Sequence, residues 1–131
     1  DKINRELEAL RRDMVAAGHD KTLSQAILVG TAGTPVTLAA IDVKLPDFDY
    51  RKVHGHSLSL PDIANIRTRM FPMTPEQRLR VPGLEKGRED LVVAGILITM
   101  KTMELFGFDR FVVCDTGLLE GILSGMAREG G

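Results

Sequence analysis

The stretch GREDLVVAGILITMKTMELFG, residues 87–107, constrains the fold of this chain more than any other. Glu89 and Asp90 fall in what would be a first helical turn, where the positive end of a helix favours carboxylates. After them Leu91, Val92, Val93, Ile96, Leu97, Ile98, Met100, Met103, Leu105 and Phe106 leave almost no polar face. A helix apolar all round is expected to be buried on several sides, so the rest of the chain must supply its cover. Ala94-Gly95 offers a small surface against which another element can pack closely. No apolar run approaches the ~18 residues of a membrane span, so the stretch is expected to lie in a core.

The flanking sequence supplies candidate partners. Ile3, Leu7, Leu10, Met14 and Val15 recur at helical spacing among charges and predict an amphipathic helix over 2–17, stopped by Gly18. Residues 26–29, AILV, form a short apolar run ending at a glycine, the pattern of a buried strand. Thr34-Pro35 predicts a helix start, Thr34 as cap and Pro35 where no N–H is needed, with 36–41 continuing it. Residues 45–52 are turn-rich, and 53–58 are a candidate short strand. Ser59-x-x-Asp62 and Thr74-x-x-Gln77 are capping-box patterns that predict helices near 61–71 and 75–80, the second ended by Pro82-Gly83. Residues 111–114 predict another buried strand, and Asp115-Thr116-Gly117 turns it into a last helix over 118–128. Two parallel strands joined by crossover helices make an α/β layer. Two or three strands are few for a parallel sheet, which normally has both faces covered.

Between the first strand and its helix lies VGTAGTPVT, residues 29–37. A glycine loop in that place lets backbone N–H groups converge on an anion, with the helix N-terminus adding positive potential. The loop is neither a P-loop nor G-x-G-x-x-G. The alternative is a tight turn in which small residues let the helix approach the sheet. Asp115 could reach a ligand, but Asp or Thr capping the last helix is expected. His54-Gly55-His56 places two imidazoles on one face of a possible strand without a third ligand nearby, so structural or surface histidines are expected. Arg88 beside Glu89 and Asp90 could contact phosphate; helix-dipole complementation with a solvated arginine is the plainer reading. Cys114 ends an apolar strand and is expected to be a buried, inert thiol. There is no G-x-S-x-G elbow, no Ser-His-Asp order and no metal cluster, so a complete enzyme is not expected within these residues.

Bulk properties narrow the class. The 131 residues fit one compact domain, residues 1–131, and the net charge of −1 marks neither a nucleic-acid partner nor a membrane surface. A lone cysteine fits a reducing, cytoplasmic setting. The chain opens DKINRELEALRRDM, already inside a helical pattern, and reads as a fragment of a longer protein.

Taken together, VGTAGTPVTLAAI, KVHGHSLSL, MTPEQRLRVPGLEKGREDLVVAGILI and VVCDTGLLEGIL resemble, in order and spacing over about residues 1–128, the Ppx/GppA phosphatase family of exopolyphosphatases and guanosine pentaphosphate phosphohydrolases. The resemblance implies an actin-like ATPase architecture of two ribonuclease-H-like lobes across a cleft, with this chain as the helix-rich C-terminal part of the second lobe. It implies that the first lobe's acidic phosphate loop and glutamate, and the D-x-G-G-G-S/T loop of the second lobe, lie outside this sequence. By position, a phosphate- or nucleotide-binding role passes to Gly30, Thr31, Ala32, Gly33 and Thr34, and a catalytic role to none. The implied parent is a Mg²⁺-assisted hydrolase of inorganic polyphosphate or guanosine pentaphosphate, in which a glutamate activates water and backbone N–H groups stabilise the transferring phosphoryl group. The fragment alone is expected to be inactive, and the exposed strand edges invite a homodimer. The alternative is a degenerate nucleotide-sensing or dimerisation module.

Overall fold

The computed structural model describes residues 2–129. Its elements run α1 (Lys2–Ala16), α2 (Asp20–Leu23), β1 (Leu28–Thr31), α3 (Gly33–Asp42), a 3₁₀ turn (Tyr50–Val53), β2 (Ser57–Ser59), α4 (Leu60–Met70), α5 (Pro75–Arg78), α6 (Leu91–Phe106), β3 (Arg110–Cys114) and α7 (Leu118–Glu129). The strands form one sheet in the order β1-β3-β2. β1 and β3 are parallel, Leu28 beside Phe111 and Thr31 beside Cys114, and the helices between them form the crossover the sequence predicts. β2 adds an antiparallel edge, with Leu58 opposite Phe111. That edge starts at Ser57 rather than Val53, because residues 50–53 coil into the 3₁₀ turn.

The most completely buried helix is α3, not α6. All six residues Val36, Thr37, Leu38, Ala39, Ala40 and Ile41 are buried, because α3 lies on the sheet and is flanked by α4, α6 and the 3₁₀ turn. By contrast α6 buries Val92, Gly95, Ile96 and Met103 while Leu91 is 65% and Ile98 48% exposed. Composition made α6 competent for burial all round, but α1, α3 and α4 cover only part of its circumference. The predicted small surface is used: a side chain at Gly95 would run into Thr34, so glycine sets how near α6 can approach α3.

Local chemistry fixes the helix starts. Ser59 Oγ accepts from the Asp62 N–H, and the Asp62 carboxylate accepts from the Ser59 N–H at 2.8 Å. Thr74 and Gln77 repeat the exchange at α5. Each closes two backbone donors that a bare helix start would leave unpaired. The linker between α5 and α6 is then clamped onto α3. Gly83 (φ 92°) lies so close to the Ala40 carbonyl that a Cβ would overlap it, and Arg78 donates to the carbonyls of Met70 (3.2 Å) and Glu89 (3.0 Å).

The two chain ends pack less tightly. No residue of α1 is buried. Leu118, Leu119, Ile122, Leu123 and Met126 of α7 are all at least half exposed, an apolar face that the described residues leave uncovered. Among the described residues no helix is long and apolar enough to cross a membrane.

Candidate functional site

The expected glycine loop is almost no loop. Gly30 and Thr31 are the last two residues of β1, Gly33 and Thr34 are the first two of α3, and Ala32 alone connects them. The strand expected at 26–29 is displaced two residues toward the C-terminus, since Ala26 and Ile27 are exposed and Leu28 is the first to pair with β3. Ala32 takes φ 68° and ψ −163°, a region almost restricted to glycine and costing of order 1–3 kcal/mol for other residues. Thr34 is not the cap. Ala32 occupies that position and has no capping side chain, so the first N–H groups of α3 have no side-chain acceptor.

The five residues differ in their surroundings. Gly30 is closely packed: a Cβ there would lie 2.8 Å from Pro35 and 2.9 Å from Phe111. Thr31 and Ala32 are exposed. Thr34 faces Gly95. Gly33 lies directly beneath the Arg88 guanidinium, whose Nη1 occupies the space a Cβ would need. Arg88 reaches this point from the linker that Gly83 and Arg78 clamp, 55 positions further along the chain. It is therefore not the free, solvated arginine of the plainer sequence reading, and its side chain is only 34% exposed.

Gly33, Thr34, Thr37, Arg88, Leu91 and Val92 line a recess of about 170 Å³ at the start of α3. Thr37 is 2% exposed, and its Oγ1 is closed off from solvent and has no partner within hydrogen-bond geometry. Tyr50 donates to Glu85 Oε2 at 3.0 Å, and Arg88 Nε faces the same oxygen at 3.5 Å. Burial first, then the Glu85 carboxylate, raises the Tyr50 phenol above its ordinary range, so it stays protonated and a donor. Helix-start amides without a side-chain acceptor and a guanidinium are together suited to hold an anion. Sequence reasoning named Gly33, Thr34 and Arg88 but did not bring them together, and Thr37, Tyr50 and Glu85 carried no sequence signal.

The remaining candidates resolve differently. His54 Nδ1 lies 2.9 Å from Asp115 Oδ1, and His56 Nε2 lies 2.8 Å from Asp42 Oδ2. The two imidazoles thus face separate carboxylates, not one shared metal position. Among the described residues no group of three or more His, Cys, Asp or Glu is arranged to hold a metal ion. Neither Asp115 nor Thr116 caps α7. Asp115 is engaged by His54, the Thr116 hydroxyl by Cys114 Sγ at 2.9 Å, and Glu120 reaches back to the Gly117 N–H at 2.7 Å. Cys114 is half-buried rather than buried.

Comparison with known proteins agrees with this architecture. Over 103 residues the chain is 27% identical to exopolyphosphatase 2 of Mycobacterium tuberculosis, a match covering 76% of this chain and 32% of that protein. It is 28% identical over 103 residues to a bifunctional 3-dehydroquinate synthase/phosphatase of Fusobacterium nucleatum, covering 78% of this chain and 15% of the other. The crystal structure of the Aquifex aeolicus Ppx/GppA family member superposes with a TM-score of 0.74 at 33% identity, covering 95% of this chain and 42% of that one. An exopolyphosphatase structure from Cytophaga hutchinsonii gives 0.67 at 25% identity over 96% of this chain and 42% of the other. The chain thus spans about a third of the curated exopolyphosphatase and under half of the solved relatives. The family model matches residues 1–129, and with these relatives and this fold the chain belongs to the Ppx/GppA phosphatase family.

Proposed function

We propose that this chain supplies one wall of the ligand cleft of a phosphohydrolase that cleaves terminal phosphoanhydride bonds of inorganic polyphosphate or guanosine pentaphosphate. The observation that carries the reading is the recess at the start of α3, where Arg88 lies over Gly33 beside Thr34. The amides of Gly33 and Thr34 and the Arg88 guanidinium bind and orient phosphate oxygens. Of the residues the sequence nominated, Gly33 and Thr34 do this work; Gly30 holds the packing behind them, and Thr31 and Ala32 shape the entry.

No residue of this chain acts as base or nucleophile in this reading. Phosphoryl transfer depends on positioning and on stabilising charge, both of which need the opposite wall, so these residues alone are inactive. Among the described residues no group of three or more His, Cys, Asp or Glu is placed to hold the Mg²⁺ that this reading expects of the intact protein. The test is an assay of the intact protein with long-chain polyphosphate and with guanosine pentaphosphate, wild type against Arg88→Met. Loss of a charge-assisted contact worth about 1.5–3 kcal/mol should weaken ligand binding about 10- to 150-fold. Unchanged affinity for both ligands would remove the recess from the cleft.

A second reading, an assembly or nucleotide-sensing module without hydrolase activity, draws on the exposed apolar face of α7. Phosphate release from polyphosphate by the intact protein at an ordinary enzymatic rate counts against it.

A further inference from the structure

We infer that Tyr50 is a positioning residue for Arg88, acting through Glu85 to hold the guanidinium over Gly33. The inference rests on the phosphate-wall reading above. The backbone carrying Arg88 is already set by the Gly83 contact with Ala40 and by Arg78 at the Glu89 carbonyl. What remains free is the rotation of a long side chain, and that freedom must be lost for Nη1 to stay above Gly33. Glu85 Oε2 meets the guanidinium on its Nε edge, at 3.5 Å, so the Nη edge is left for a ligand. Glu85 is itself on the surface, its side chain 46% exposed, and an exposed carboxylate held only by an arginine would wander. The Tyr50 hydroxyl prevents this: it donates to the same oxygen at 3.0 Å from a half-buried ring packed against the core. Tyr50 in turn starts the 3₁₀ turn that packs on α3. The chain of contacts from α3 through the 3₁₀ turn to Tyr50, Glu85, Arg88 and Gly33 thus begins and ends on α3, and the charged head group is oriented by the helix whose N-terminus it serves.

The test is a double-mutant cycle on the intact protein, with inorganic tripolyphosphate as probe and binding measured by calorimetry in EDTA. Tyr50→Phe removes the hydroxyl without changing charge. It should weaken binding about threefold, the loss of one modest hydrogen-bonded constraint. In the Arg88→Met background the same change should have no further effect, because no guanidinium remains to be positioned. Arg88→Lys, which keeps the charge but lacks the Nε edge, should likewise be insensitive to Tyr50→Phe. An equal threefold loss in both the wild-type and Arg88→Met backgrounds would show that Tyr50 acts without Arg88 and would overturn the inference. So would a Tyr50→Phe protein that binds as tightly as wild type while Arg88→Met binds weakly. If Arg88→Met itself binds as wild type, the phosphate-wall reading fails, and this inference with it.

Discussion

Gly30 and Gly33 stand three residues apart, one on each side of the hinge at Ala32, and the same substitution should do opposite things to them. At Gly33 a Cβ would displace Arg88 Nη1, the far end of a flexible side chain that can swing into solvent. The stability cost is then at most the loosened contact with Glu85, about 0–1 kcal/mol. Alanine offsets this, because it is better than glycine within a helix by about 0.5–1 kcal/mol. Gly33→Ala should therefore fold with a stability within about 1 kcal/mol of wild type. Its affinity for inorganic tripolyphosphate should nevertheless fall about tenfold or more, since the guanidinium no longer sits over the helix start. At Gly30 the added methyl meets Pro35 at 2.8 Å and Phe111 at 2.9 Å, atoms that close the gap between α3 and the central strand. Overpacking there should cost about 1–3 kcal/mol, with affinity per folded molecule much less altered than at Gly33. Urea unfolding followed by circular dichroism gives the first quantity and calorimetric titration the second. Two variants that lose stability equally, or a Gly33→Ala protein that binds as wild type, would refute the division.

Other substitutions probe the supports of the site. Gly83→Ala combines a positive φ with overlap onto the Ala40 carbonyl, backbone inside a buried helix, and should lose about 2–5 kcal/mol in chemical denaturation. Ala32→Gly should gain about 1 kcal/mol, the relief of an unfavourable φ and ψ less the extra entropy of glycine in the unfolded chain. Hydrogen bonds from Ser59 hold the Asp62 carboxyl below its ordinary value of 3.8, so the capping box stabilises fully above that value and is lost as pH falls through the lower, folded value. Ser59→Ala should cost about 1 kcal/mol at neutral pH and flatten the acid limb of a stability-versus-pH curve. The apolar face of α7 should drive self-association, and Leu119→Lys with Leu123→Lys should shift light scattering toward monomer; unchanged scattering would remove α7 from the contact.

Much of the fold was legible along the chain. Capping boxes at Ser59 and Thr74 depend on side chains three residues apart, and both form. The parallel pair β1 and β3 followed from two apolar runs separated by helical sequence. Where local signals competed, they failed in a consistent way. Ala26 and Ile27 are as apolar as the residues after them, and only pairing with Phe111 shows that the strand begins at Leu28. Thr34-Pro35 has the chemistry of a helix start, but Gly33 is free to take helical geometry first. The apolar richness of α6 stated what the helix could tolerate, not how many neighbours would reach it.

From residue types and spacing alone came the layer architecture, the order of its elements and the presence of a side-chain-poor hinge near residue 32. These depend on interactions within a few positions of one another, or on which residues water rejects. Tertiary structure decided the surroundings of the hinge: Gly30 is packed against Pro35 and Phe111, and Gly33 lies beneath the Arg88 guanidinium. An arginine 55 positions away, oriented by a tyrosine from a separate turn, meets the start of α3 only because Gly83 and Arg78 clamp the intervening linker. Such meetings are set by how whole elements close around a core, and no short-range pattern in a sequence encodes them.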